Sequence, residues 1–335
     1  MARVDHAADA PVRRTAGLGQ LRALSQTYGA LVALVLLLGY NILFTPNFLT
    51  PQTLNVNLQQ VAPIVIVAVG MTLVIATGGI DLSVGSLMAI AGTLAPMIFL
   101  SQTAPLNNSV VGTTLALIVP VLVAGFFGLF NGVLVTTFRI QPIIATLILF
   151  VGGRGIAQVL TNGAIQSFRN PSFQYIGLGR PFGVSFQVLL MLVIVVLAVW
   201  AMRVTTFGRY VLAIGGNEAA ARLAGVPVDR VKRSVYVLSG LLAGLAGLIV
   251  IAINSSSDAN RVGINMELDA IAAVAVGGTP LTGGRATIGG TLLGALVIQL
   301  IQFTLLSNGV SFAVAQVTNA ALILLAVYLQ RRSGS

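Results

Sequence analysis

Charge is what this chain has least of. Of 335 residues only 18 are Lys or Arg and 8 are Asp or Glu, against 56% apolar residues. Mean hydropathy is +0.97. Soluble domains carry about 25% charged residues; this chain carries 8%. So few charges could not cover a water-facing surface. That excludes an ordinary soluble enzyme, a disordered chain and, despite the net charge of +10, a nucleic-acid binder. Cysteine is absent, so no disulfide, thiol nucleophile or cysteine metal site is available. The one histidine, His6, lies in a polar N-terminal stretch, which removes a histidine metal cage and a Ser-His-Asp triad. The one lysine, Lys232, follows Val231, whereas a P-loop needs Gly-Lys-Ser/Thr to wrap phosphates. No metal or cofactor is expected on the chain itself. Work against a gradient must be powered by another subunit or by an ion.

Apolar runs are what the chain has in quantity. A helix needs about 20 residues to cross a bilayer, so ten crossings would use about 200. The expected fold is all-α: one polytopic bundle of about ten transmembrane helices, some broken, and no large soluble domain. A β-barrel is excluded because its strands alternate in polarity. Residues 1–26 read as a polar tail, 27–330 as the membrane domain and 331–335 as a second tail. The first run, Tyr28 to Phe44, lacks a small-residue cleavage site and reads as a retained helix rather than a signal peptide. Pro46 and Pro51 mark the first turn. Further spans read Val61–Thr77, Leu82–Leu100, Val110–Phe138, Ile143–Leu160, Val184–Met202 and Ser234–Asn254. A shorter stretch runs from Met266 to Val276, and Ile288–Leu306 and Phe312–Leu329 close the series.

Basic residues set an expected orientation, because positive loops stay in the cytoplasm. Six of them, Arg203, Arg209, Arg222, Arg230, Lys232 and Arg233, fall within 203–233. The N-terminal tail and Arg331-Arg332 go inside by the same rule, which needs an even number of crossings. Ten crossings place 14 basic residues inside and leave Arg154, Arg169, Arg180 and Arg261 outside.

Two stretches share the pattern GG-x-x-L-[ST]-x-G. One runs from Gly78 and Gly79 through Asp81 and Ser83 to Gly85; the other runs from Gly277 and Gly278 through Thr282 to Gly284. Duplicated broken helices point to a transporter, since backbone freed from a helix must be buried in protein or line a wet cavity. A tight turn with Asp81 or Ser83 as N-cap is the simpler alternative. The pairs Gly128/Gly132, Gly240/Gly244 and Gly290/Gly294 suit close helix packing.

In the long basic loop, Gly215 and Gly216 lead into Asn217, an N-cap, and Glu218, which suits the positive helix end. Ala220 and its neighbours propagate the helix, Arg222 sits near its negative end, Gly225 fits C′ and Pro227 stops it. Leu223 and the alanines cannot form a core alone. The segment reads as an exposed helix, either merely solvated or a knob for a partner's groove.

Polar residues in or near spans are candidate pathway groups, because burying them in lipid is costly. They are Asn131, Gln141, Arg154, Gln158, Asn254, Asp258, Asn260, Glu267, Asp269 and Gln299, with Asn162, Gln302 and Gln316 as lesser members. Arg154 could instead snorkel to an interface, and Glu267 and Asp269 could simply favour a helix N-terminus. Amides without a lone buried charge suit a neutral, hydroxyl-rich solute better than an ion.

The chain resembles permease subunits of bacterial ABC importers for monosaccharides, of the ribose, xylose and galactofuranose branch. The resemblance rests on VGMTLVI (69–75) running into GGIDLSVGS (78–86), on AIGGNEAAARLAGV (213–226) and on MELDAIAAVAVGGTPLTGGR (266–285). Residues 140–158 and 256–263 look most like galactofuranose-type members. The resemblance covers residues 28 to 330. It implies a bacterial inner-membrane protein that works as a homo- or heterodimer and is driven by two ATPase subunits holding ATP and Mg2+. A periplasmic sugar-binding protein would deliver the substrate. It further implies that 213–226 is the coupling helix, with Gly216, Asn217, Ala220 and Gly225 carried over to that role. The rival reading is an ion-coupled secondary transporter using Asp81, Glu267 or Asp269; a second rival is an integral membrane enzyme, from which the missing Cys and the single tail His remove most catalytic constellations.

Overall fold

The computed structural model describes residues 16–102, 106–107, 109–311, 313–315, 317–318 and 320–321. The far ends of both tails, Gln316 and most of the expected final span lie outside these residues. Among the described residues the regular structure is helical, apart from one pair of two-residue strands.

The first helix, α1 (Ala16–Phe44), leads to α2 (Pro51–Ala76), α3 (Val84–Phe99), α4 (Val110–Thr136) and α5 (Pro142–Thr161). A short helix, α6 (Pro171–Leu178), precedes α7 (Phe186–Val204), α8 (Thr206–Gly216) and α9 (Glu218–Leu223). The chain closes with α10 (Val228–Asn254), α11 (Met266–Val276) and α12 (Ile288–Ser307). Six of these, α2, α4, α5, α7, α10 and α12, are long and apolar enough to cross a membrane. At 1.5 Å per residue, α3 reaches about 24 Å and α11 about 16 Å, both short of a hydrocarbon core of about 30 Å. The stretch expected as a full span over Leu82–Leu100 is therefore a shorter helix, and Met266–Val276 is shorter still.

Sequence chemistry explains the layering. α2 is apolar all round from Val61 to Ala76 and is buried over that whole stretch. It forms the centre with α3 and the second half of α10. α4, α5 and α7 each keep an exposed apolar face, with Phe126, Val151 and Val196 among the exposed side chains. Such a face is suited to lipid. The glycine pairs pack within the chain. A Cβ on Gly128 or Gly240 would strike the backbone of the facing helix, at Tyr236 and Ala124 respectively, so α4 and α10 touch main chain to main chain. Gly290 and Gly294 do the same for α12 against α11, at Gly277 and Ala273.

Several boundaries differ from expectation: α1 begins at Ala16, inside the expected polar tail of residues 1–26 and before the expected Tyr28. α2 begins at Pro51, ten residues before the expected Val61, because Thr50 caps it by accepting from the Thr53 amide at 3.3 Å and Pro51 occupies its first turn. The polar run Asn55, Asn57, Gln59 and Gln60 hid this start. α10 likewise begins at Val228, directly after α9, not at Ser234.

Candidate functional site: two helix breaks and the segment that touches both

The two breaks end their helices alike. In α2, Thr77 is the C-cap and Gly78 adopts φ +81°; in α11, Gly277 is the C-cap and Gly278 adopts φ +83°. The Gly79 amide donates to the Val74 carbonyl at 3.1 Å and the Thr279 amide to the Val274 carbonyl at 3.2 Å, the six-to-one bond of a Schellman ending. Only glycine takes this left-handed position without strain. The structural register pairs Gly78 with Gly278, one residue away from the match of letters, which pairs Gly78 with Gly277. The letter match therefore identified the right segments in the wrong register.

Beyond the glycine the breaks diverge. The first is anchored outward by Asp81, which is fully buried. Its Oδ1 accepts from the Ser83 amide at 3.0 Å and from Ser83 Oγ at 2.6 Å; its Oδ2 accepts from Ser239 Oγ of α10 at 2.7 Å. Asn131 Nδ2 of α4 donates to Ser83 Oγ at 2.8 Å. No ion pair among the described residues includes Asp81. Ser83 holds the N-cap position of α3 but makes no side-chain cap, so the simple N-cap reading fails for it; its hydroxyl serves Asp81 instead. Thr146 of α5 completes the anchorage, accepting from the Leu82 amide at 3.1 Å.

The second break closes on itself. Thr279 and Thr287 hydroxyls lie 2.8 Å apart, and Thr287 Oγ1 donates to the Gly277 carbonyl at 2.9 Å. Thr282 is exposed.

The two breaks meet. The Gly284 amide donates to the Ala76 carbonyl at 3.0 Å, and a Cβ on Gly283 would lie 2.8 Å from the Gly78 nitrogen. Gly215, in the last turn of α8, seats on this junction: a Cβ there would collide with both the Ala76 carbonyl oxygen and the Gly284 nitrogen. Gly215 and Gly216 are therefore helical, in a helix that the sequence did not disclose, and not loop residues ahead of Asn217. One short segment touches both breaks at once.

α9 follows immediately. Asn217, with φ −159°, caps it, its Oδ1 accepting from the Ala220 amide at 2.9 Å. Gly225 sits at φ +80°, and the Val226 amide donates to the Ala221 carbonyl at 3.0 Å, a third Schellman ending. Arg222 does not merely complement the helix end: it pairs with Asp229 at 2.8 Å and with Glu218 at 3.4 Å, while Lys232 also pairs with Glu218. Partial burial pushes the Glu218 carboxyl up, but the hydrogen bonds and charges of Lys232 and Arg222 outweigh it and hold it below the ordinary glutamate range. These pairs brace α9 against the start of α10. The helix then presents Leu223, 91% exposed, to its surroundings.

The other pathway candidates divide into separate groups. At the far end of α10, about 40 Å from its start, Arg154 of α5 donates to the Val262 carbonyl and, at 3.0 Å, to the Ala259 carbonyl. Gln158 donates to Asn260 Oδ1 at 2.8 Å, and the Asn260 amide to Asp258 Oδ1 at 2.9 Å. Glu267 is buried beside this loop, near Gly85 and Gly263. A strand pair, β1 (Gln166–Ser167) and β2 (Ser256–Ser257), fastens the same end. Arg154 thus holds loop backbone and does not snorkel freely. Asn254 is exposed and Asp269 half-buried in the first turn of α11. Gln299 donates to Gln60 Oε1 at 2.6 Å, joining α12 to α2, and Gln302 is half-buried on the same helix. Gln141 is exposed at the start of α5 and Asn162 is its left-handed C-cap. Sequence reasoning missed Ser239, Thr146 and Gln60; a lone hydroxyl or amide in an apolar helix was the available signal.

A chain of buried helices with paired breaks, joined at one point to an exposed capped helix, is built as a membrane transport subunit. Residues 54–329 match the family model described as branched-chain amino acid transport system / permease component. The chain is 42% identical over 307 residues to the ribose import permease protein of Escherichia coli (strain K12), covering 90% of this chain and 93% of that one. It is 40% identical over 311 residues to the galactofuranose transporter permease protein of the same organism, covering 90% and 88%. It is 38% identical over 296 residues to the L-arabinose ABC transporter permease protein of Azospirillum brasilense, covering 88% and 84%. No solved structure matches. The chain belongs to this permease family, in its ribose and galactofuranose branch, and is a multi-pass membrane protein. The ion-coupled alternative is thereby set aside: the relatives are permease components of import systems, not secondary transporters.

Proposed function

We propose that the chain is the translocating subunit of an ATP-driven importer that carries a monosaccharide across the bacterial inner membrane by alternating access. The observation that carries this reading is the seat of Gly215 on the junction of the two breaks. A force applied to α9 reaches both broken elements through one contact and needs no long relay. In this reading α9 docks in a groove of a cytoplasmic ATPase, with Asn217, Glu218, Ala220, Arg222 and Gly225 shaping it. Two such permease subunits and two ATPase subunits form the complex, and a periplasmic binding protein delivers the sugar. The charge asymmetry supports an even number of crossings with both termini in the cytoplasm, the last being the Phe312–Leu329 run. ATP binding closes the ATPases and displaces α9; the permeases open outward, and hydrolysis returns them. The two states must differ in affinity for the ATPase grip for this to work.

The test is reconstitution in liposomes with the ATPase and binding protein, offering ribose, galactofuranose, arabinose, xylose and fructose in turn. The reading expects one pentose or furanose-form sugar to stimulate hydrolysis and accumulate in an ATP-dependent, ionophore-insensitive manner. Uptake that survives without ATP and dies with an ionophore overturns it.

A further inference from the structure

Tyr236 heads the fully buried side chains by volume, at 1% exposure, and its hydroxyl has no hydrogen-bond partner among the described residues. Native chains leave few buried polar atoms unpaired, and phenylalanine would fill the same space. The hydroxyl oxygen abuts the first break: a Cβ on Gly79, two residues before Asp81, would lie 2.7 Å from it. One turn along the same face of α10, Ser239 Oγ donates to Asp81 at 2.7 Å. α10 therefore presents two hydroxyls, three residues and about 4.5 Å apart along its axis, to the neighbourhood of one carboxylate. One is engaged and one is not.

At this point α10 approaches α2 and α4 closely. Gly70 of α2 lies beneath Ser239, where a Cβ would be 3.0 Å from the Ser239 Cα, and Gly128 and Gly240 meet backbone to backbone. The Leu242 side chain also packs over Gly70, and one turn before Tyr236 Arg233 donates to Thr136 Oγ1 of α4 at 2.8 Å. α10 also starts just after α9 and is tied to it by the Arg222–Asp229 pair.

We propose that Tyr236 is a positioning residue for transport: its hydroxyl takes Asp81 over from Ser239 when α10 shifts against the first break, so the carboxylate holds the break in both states. The Tyr236 side chain is long enough to make up part of the 4.5 Å offset by pivoting, so the shift required is less than one turn. This rests on the reading of the chain as an ATP-driven permease.

The experiment compares wild type, Tyr236→Phe and Ser239→Ala in the complete reconstituted importer. Tyr236→Phe is expected to assemble normally, keep basal ATP hydrolysis and lower sugar uptake per ATP about tenfold, the loss of one hydrogen bond in one state only. Its unfolding midpoint is unchanged without nucleotide and reduced with a non-hydrolysable ATP analogue bound. Ser239→Ala shows the reverse: a reduced midpoint without nucleotide, and raised hydrolysis without sugar. Wild-type uptake by Tyr236→Phe, or a midpoint reduced equally in both nucleotide states, overturns the proposal. A wild-type complex that imports no sugar defeats the functional reading instead, while the nucleotide dependence of the midpoints still decides the role of Tyr236.

Discussion

The two helix breaks end on the same backbone motif and are then held by opposite means. The first is tied outward: Asp81 and Ser83 reach Ser239 on α10 and Asn131 on α4. The second is tied inward, Thr279 and Thr287 bonding each other and the Gly277 carbonyl. A carboxylate buried without a cation is expensive unless every lone pair is served, and here hydroxyls and an amide serve it. The comparison teaches that repetition supplied the geometry of a break, while the side chains beyond it decide whether the break moves with its neighbours. The first is coupled to α10, and the second rests against Gly215, Gly216 and, through the Gly284 amide, the Ala76 carbonyl at the end of α2.

The strongest challenge to this comparison strikes the element common to both breaks. Asn217→Pro cannot adopt φ −159° and loses the bond from the Asn217 amide to the Ala213 carbonyl, 3.1 Å in the native chain. With about 3 kcal/mol or more lost at this joint, sugar uptake in vesicles should fall at least about a hundredfold while membrane insertion, read by immunoblot, persists. Normal uptake removes α9 from the coupling role.

The next pair of substitutions separates the breaks directly. Asp81→Ala leaves the Ser239 hydroxyl buried and unpaired and is expected to destabilise the detergent-solubilised protein by about 3 kcal/mol in denaturant unfolding. Thr279→Val, which keeps the shape and loses the hydroxyl bonds to Thr287, should cost about 1 kcal/mol. Equal costs would mean that the outward anchorage is no different in kind from the inward one.

The smallest effect concerns α9. Its Glu218–Arg222 and Glu218–Lys232 pairs lie at the surface, where water screens them, and should contribute little. Because the Glu218 carboxyl is held below its ordinary range, the pairing is fully present above that range and is lost as pH falls through the lowered value. Unfolding midpoints of wild type and Glu218→Gln should thus differ slightly and constantly from pH 7 down to about 5, and converge below about 4.

Capping was legible because it is local. Asn217 and Gly225 read correctly from neighbours within a few residues, as did both Schellman glycines as a pair of segments. Their register did not, since Gly-Gly offers two candidate C′ positions and only the bond to Val74 or Val274 chooses between them. The start of α2 was concealed by amides that suit either a loop or an exposed first turn. α8 was concealed by two glycines, poor helix formers, retained because the Gly215 backbone must approach Ala76. The polar residues of the spans were legible one by one but their partners were not, because Asn131 with Ser83, Arg154 with the 259–262 backbone and Gln299 with Gln60 are brought together only by tertiary packing.

The most direct test of the whole account is the sidedness of α9. The chain has no cysteine of its own, so Leu223→Cys supplies a single label site on an exposed residue. A membrane-impermeant maleimide should label it in inverted vesicles, not in intact spheroplasts, and the ATPase subunit should protect it. Labelling from the periplasmic side, or labelling indifferent to the ATPase, contradicts the claim that nucleotide machinery grips this helix to move both breaks.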